Sequence, residues 1–117
     1  MTIRTVTECA EEALRKIGVA SSGQPISADD SAVASAAVQQ ALLELESRVQ
    51  FTLSASDEVD ALYYDAISIY AAALMCPNYG TETINKMTPE QAQNEAVRKV
   101  FRLTPGEELN SVKTDHF

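Results

Sequence analysis

Hydrophobic positions along the chain fall into helical stripes, and the cleanest lies in Asp57 to Met75, DEVDALYYDAISIYAAALM. Val59, Leu62, Tyr63, Ala66, Ile67, Tyr70, Ala73 and Leu74 recur at the three-and-four spacing that gathers them on one face of an α-helix. Ser56 or Asp57 offers a cap, and Pro77 cannot continue the helix, so the pattern predicts an element about 28 Å long at about 1.5 Å per residue. Burying Leu62, Ile67 and Leu74 contributes on the order of 1.5–3 kcal/mol each, more than an exposed ion pair, which marks this as the central core helix.

The same reading predicts three further helices. Thr5 and Glu8 have capping-box spacing ahead of the stripe Val6, Cys9, Ala10, Ala13, Leu14 and Ile17, and Gly18 is a natural stop. Glu11 with Arg15 and Glu12 with Lys16 are four-apart opposite charges on its outer face. Val19 to Ile26, VASSGQPI, is a loop by its Gly, Ser and Pro content, and Ser27 with Asp30 opens a second helix over Ala28 to Val49. That helix carries small residues first (Ala32, Ala34, Ala36, Ala37) and larger ones later (Val38, Leu42, Leu45, Val49). Phe51, Leu53 and Ala55 alternate with Thr52 and Ser54, the pattern of an extended connector able to form a short strand.

Cys76 to Gly80 reads as a turn, and Thr81 to Met87 as loop. Thr88-Pro89-Glu90-Gln91 starts the last helix, with Ala92, Ala96, Val97, Val100, Phe101 and Leu103 on its apolar side. Arg98, Lys99 and Arg102 gather in its last turns, where cations suit the helix dipole. The expected fold is therefore all-α, a compact bundle of about four helices over residues 1–106. Residues 107–117 follow as a tail whose apolar members, Leu109, Val112 and Phe117, are too few to hold it without a partner.

Composition narrows the function. A length of 117 residues suits one domain, and a formal charge of −8 with a pI near 4.5 argues against a surface that grasps nucleic-acid phosphates. No run of about 18 apolar residues is present, and Met1 to Thr7 lacks a signal pattern, so the expectation is a non-membrane protein made in the cytoplasm. Cys9 and Cys76 match no metal spacing and read as buried thiols.

Catalytic chemistry is equally hard to assemble. The single histidine, His116, is the penultimate residue of the tail, where an ordered acid–base role is not expected. Asp57, Glu58 and Asp60 are explained by a helix first turn, and they lack the Gly turn and distal Glu of a calcium loop. Gly18 to Gly23, GVASSG, has neither the Lys of a phosphate loop nor a preceding strand. Tyr63, Tyr64, Tyr70 and Tyr79 lie at helical spacing in an acidic chain, which fits core and interface use better than base stacking. No enzyme activity, metal or cofactor is expected.

Three stretches together resemble the head-to-tail connector (head-completion, or packaged-DNA-stabilisation) proteins of tailed bacteriophages. They are Ala13-Leu14-Arg15-Lys16-Ile17-Gly18-Val19 with the loop after it, Asp60-Ala61-Leu62-Tyr63-Tyr64-Asp65-Ala66, and Ala73-Leu74-Met75-Cys76-Pro77-Asn78-Tyr79-Gly80, in the family's order. The likeness spans Thr7 to about Arg102. Departures are a missing tryptophan near the end of the second helix, where Phe51 is the nearest aromatic, and Asp65 and Cys76 in place of the commoner Asn and Ala.

The resemblance implies a non-catalytic virion protein at the neck of the particle. It implies a homo-oligomeric ring, typically twelve-fold, that docks on the portal protein after DNA packaging and offers a platform to a tail or stopper protein. DNA would pass through without specific binding. Within that picture Leu109, Val112 and Phe117 are candidates for contact with the portal or a neighbouring subunit, and Asp29, Asp30 and Glu82 for facing the channel. The alternative from a different class is a small acidic helical regulator or adaptor that binds a basic protein surface.

Overall fold

Three helix starts are made by the side chains that the sequence marks for them. The structure, a computed structural model, describes residues 3–19, 25–50, 53–55, 58–84 and 86–103. In α1 (Val6–Lys16) the Thr5 hydroxyl accepts the Glu8 N–H at 3.1 Å and the Glu8 carboxylate accepts the Thr5 N–H at 2.9 Å, a complete capping box. At α2 (Ala28–Val49) the Ser27 hydroxyl accepts the Asp30 N–H at 3.1 Å. Ahead of α4 (Pro89–Leu103), Thr88 and Gln91 exchange the same reciprocal pair at 3.2 and 3.0 Å.

The third helix begins later than its pattern predicts. Glu58–Asp60 form a strand, Ala61–Tyr63 a 3-10 turn, and α3 proper covers Tyr64–Tyr79. That strand, β3, lies between β1 (Ile3–Thr5) and β2 (Ser54–Ala55) in a small antiparallel sheet, with Val59 opposite both Arg4 and Ser54. Val59 is buried, as predicted, but from a strand and not from a helix. The Asp60 carboxylate then accepts the Leu62 N–H at 2.9 Å and caps the 3-10 turn. Leu62, expected in the core, is 43% exposed. The alternation around residue 53 does end in a strand, while Phe51 lies outside the described residues.

Helix α3 is the centre of the molecule, with α1, α2 and α4 all packed against it. Every residue from Ala66 to Ala73 is buried, so the helix is covered all round and not on one stripe alone. Ala66, Ala71, Ala72 and Ala73 make this possible, since small side chains let three helices approach one axis. The one buried polar residue among those described, Ser68, donates to the Tyr64 carbonyl at 2.8 Å within its own helix and lies 3.4 Å from the Cys9 carbonyl of α1. Cys9 and Cys76 are buried free thiols, and burial pushes the Cys9 thiol up to about 11, which keeps it protonated and unreactive. The fold is all-α in class, four helices with a minor sheet.

Pro77 does not stop α3, a second correction. It sits in the last turn, where the cost is the loss of one N–H bond to the Ala73 carbonyl, and the helix runs on to Tyr79. Gly80 ends it at φ 67°, with the Gly80 and Thr81 N–H groups both returning to the Cys76 carbonyl. Among the described residues no atom obstructs an added Cβ there, and the backbone conformation sets the penalty. Gly80→Ala is expected to lose about 1–2 kcal/mol of stability in urea denaturation, the cost of a left-handed non-glycine residue.

Candidate functional site

Two hydrogen-bonded contacts fix which helix ends meet. The Tyr79 hydroxyl in the last turn of α3 donates to Asp30 Oδ1 in the first turn of α2 at 2.7 Å. Lys99 near the end of α4 donates to Asp65 Oδ2 at the start of α3 at 2.6 Å. Helices α2 and α4 therefore both run antiparallel to α3, and the bundle has two chemically different ends.

One end is acidic. Asp29 and Asp30 stand in the first turn of α2, where an N-terminus favours carboxylates, and Asp29 is exposed. Glu82 follows Tyr79 by three residues, within about 10 Å along the chain, and is exposed. The paired backbones of Ile84 and Met87, with Ile84 fully buried, tie that loop down ahead of α4, whose first turn adds Glu90. Among the described residues the cation in this region is Lys86. Burial, and then the Asp30 carboxylate, push the Tyr79 hydroxyl up to about 12, so it remains a donor across the neutral range. Asp29, Asp30 and Glu82, separated by some fifty positions, thus converge on one end.

The opposite end joins the sheet, the 3-10 turn, the start of α3 and the last turn of α4. Asp65 lies between Lys16 Nζ at 2.8 Å and Lys99 Nζ at 2.6 Å, bridging α1, α3 and α4. Partial burial alone would raise its carboxyl, but the hydrogen bonds and charges of the two lysines outweigh this and hold it below the usual carboxylate range. Arg98 and Arg102 share the single carboxylate of Glu95, each at 3.0 Å. Arg4 stacks over the Tyr64 ring at 4.5 Å. Three large apolar side chains, Ile3, Leu62 and Phe101, are exposed at this end.

The depressed Asp65 has a definite sign for stability. The unfolded chain takes up its proton near pH 4, before the folded chain does, so the contribution is present above that pH and lost as pH falls toward the folded value. The wild-type chain should lose stability more steeply than Asp65→Asn below about pH 4, read by thermal unfolding at a series of pH values.

Between the ends, Tyr70 joins three helices. Its hydroxyl donates to Glu44 at 2.7 Å and accepts from Arg48 at 3.3 Å, and Arg48 also reaches Asn94 of α4 at 2.9 Å. Beside α3, an open cleft of about 510 Å³ is lined by Val33, Ala36, Ala37 and Gln40 of α2 and by Leu74, Met75 and Asn78 of α3. Among the described residues no charged side chain lines it.

Other sequence candidates fall elsewhere. Glu58 and Asp60 belong to β3, and Asp60 also caps the 3-10 turn that follows it. Leu109, Val112, Phe117, His116 and Asp57 lie outside the described residues. Among those described, no group of three His, Cys, Asp or Glu side chains is placed to hold a metal ion, and no helix is long and apolar enough to cross a membrane. The Lys16–Asp65–Lys99 bridge and the exposure of Ile3 and Leu62 had no local signal, because both depend on which segments meet.

The architecture defines a small helical bundle with an acidic end opposite an end bearing exposed apolar side chains. Comparison with protein-family models, with curated proteins and with solved structures finds no match. The likeness to phage connectors thus stands on the three sequence motifs.

Proposed function

We propose that this chain is a structural adaptor subunit of a phage head-to-tail connector, forming a ring between the portal protein and a tail or stopper protein at the virion neck. It acts by docking and not by catalysis. The observation that carries the reading beyond the motifs is the two-ended distribution of chemistry. Asp29, Asp30 and Glu82 share the acidic end, while the chain leaves α4 at the other, toward Leu109, Val112 and Phe117.

In a ring the acidic end has a mechanical use. Each copy carries a formal charge of −8, and twelve copies around a channel would present duplex DNA with a repulsive wall at distances comparable to a screening length of about 8 Å. DNA then passes without sticking. At the opposite end the cations are engaged, Lys99 with Asp65 and Arg98 and Arg102 with Glu95.

An image of an assembled neck tests this reading. Asp29, Asp30 and Glu82 are expected to face the channel. A channel lined by Arg98, Lys99 and Arg102 would overturn the repulsive wall.

A further inference from the structure

We infer that the outward face of α2 is a two-fold docking surface for a second copy of this chain, the pair forming in the free protein. The inference goes beyond the adaptor reading and does not depend on it. A ring brings two different surfaces into contact, whereas a two-fold pair uses one surface twice.

The first observation is an uncharged, exposed helix face. Among the described residues Leu43, on α2, is the most exposed large apolar side chain, at 65%. It shares its side of the helix with Ala32, Ala36, Gln39, Gln40 and Ser47, all of them exposed. No charged residue occurs from Ser31 to Leu43. The outer faces of the other flanking helices are charged, with Glu11 and Arg15 on α1 and Glu95, Arg98 and Arg102 on α4. A chain of net charge −8 that leaves this one face bare gives two copies a place to meet without opposing like charges.

The second observation is that the face complements itself. A two-fold axis crossing α2 at right angles between Gln39 and Gln40 runs the two helices antiparallel. Leu43 then stands opposite Ala36 of the second copy, Ala32 opposite its Ser47, and Gln39 opposite its Gln40, each pairing occurring twice. The large apolar side chain meets a small one, and the carboxamides meet each other. Ala36 and Gln40 also line the open cleft against α3, so the incoming leucine seats at its edge.

The third is the placement of charge at the helix ends. Asp29 and Asp30 occupy the first turn of α2, and Glu44, Glu46 and Arg48 its last turns. Antiparallel pairing brings the acidic first turn of one copy beside the last turn of the other, where Arg48 lies, and opposes the helix dipoles favourably. The two Glu44 side chains are then about 13 Å apart along the axis, beyond a screening length of about 8 Å. A parallel pair would set Asp29 against Asp29 and Glu44 against Glu44. From Ala32 to Ser47 the face is about 22 Å long, and α2 with α3 beside it is about 20 Å wide, so a pair buries on the order of 900 Å² in total. That is below the roughly 1,200 Å² of stable complexes, and the pairing is therefore weak and reversible.

Sedimentation equilibrium of the full-length chain, without portal, tests the proposal. The average mass is expected to rise from one copy toward two across roughly 10 µM to 1 mM. Leu43→Asp should raise the concentration needed at least about tenfold, because it puts a carboxylate into both apolar contacts. Its melting curve should match the wild type, since the side chain is exposed. Ala36→Lys added to Leu43→Asp should restore pairing, because the two positions face each other. Under mild oxidation Gln40→Cys should link two copies, whereas Ala32→Cys, about 22 Å from its counterpart along the axis, should not. Cys9 and Cys76 are buried and do not compete. A single-copy mass up to about 1 mM would overturn the inference. So would pairing that Leu43→Asp leaves unchanged, which puts the contact elsewhere, or a mass that climbs past two copies, which shows unlike surfaces in contact.

Discussion

Ile67→Ala is expected to destabilise the protein by about 2–5 kcal/mol, the range for removing a fully buried branched side chain whose surroundings cannot close the cavity. Ile67 is fully buried in α3, the helix that α1, α2 and α4 all contact, so the walls of that cavity are helices held by other contacts. Leu62 is the internal control. It belongs to the same predicted stripe, but it is 43% exposed in the 3-10 turn, and Leu62→Ala should cost less than about 1 kcal/mol. Urea denaturation of both variants, compared at constant m-value, decides between the observed packing and the simple helical stripe. Equal losses would show that the chain from Asp57 to Met75 packs as one continuous helix.

The second large effect comes from adding volume. Ala72→Leu is expected to cost about 1–3 kcal/mol or more, because overpacking a tight core forces side chains off their rotamers or moves backbone. Ala72 is fully buried, as are its neighbours on both sides along the helix. A leucine there must push a flanking helix outward, although by intrinsic propensity it is almost as good a helix former as alanine. Thermal unfolding should show the loss, and an unchanged melting temperature would mean that α3 has an open side at Ala72. The contrast with Ile67→Ala separates two ways of damaging one core, by a void and by a clash.

Helix starts were the most legible part of the fold because they are local. Thr5 with Glu8, Ser27 with Asp30, and Thr88 with Gln91 act within three residues, and the structure forms a hydrogen bond at each. The second helix, Ala28 to Val49, needed nothing beyond its cap and its period. The start of α3 was not legible, because Val59, Leu62 and Tyr63 satisfy a helical period while the pairing partners that make Glu58–Asp60 a strand lie at Ile3–Thr5 and Ser54–Ala55. Pro77 misled for a related reason, since a proline ends a helix only where the missing N–H and the ring cannot be tolerated, and a final turn tolerates both.

Site residues divide along the same line. The acidity of Asp29, Asp30 and Glu82 was visible, but their meeting at one end depends on the Tyr79 to Asp30 bond across the antiparallel packing of α2 and α3. Lys99 read as a dipole complement to its own helix, yet it bonds Asp65 in another. Opposite charges at long separation carry no periodic signal, and so Lys16, Asp65 and Lys99 could be joined only by the fold. Leu109, Val112 and Phe117 remain a reading of the sequence alone.

The adaptor proposal is tested most directly by the mass of the complex formed when the full-length chain is mixed with portal rings at physiological salt. The account predicts a stable assembly in which about twelve copies add to each portal ring, the stoichiometry implied by the connector resemblance, read by native mass spectrometry or light scattering. A chain that keeps its single-copy mass in the presence of excess portal would contradict it.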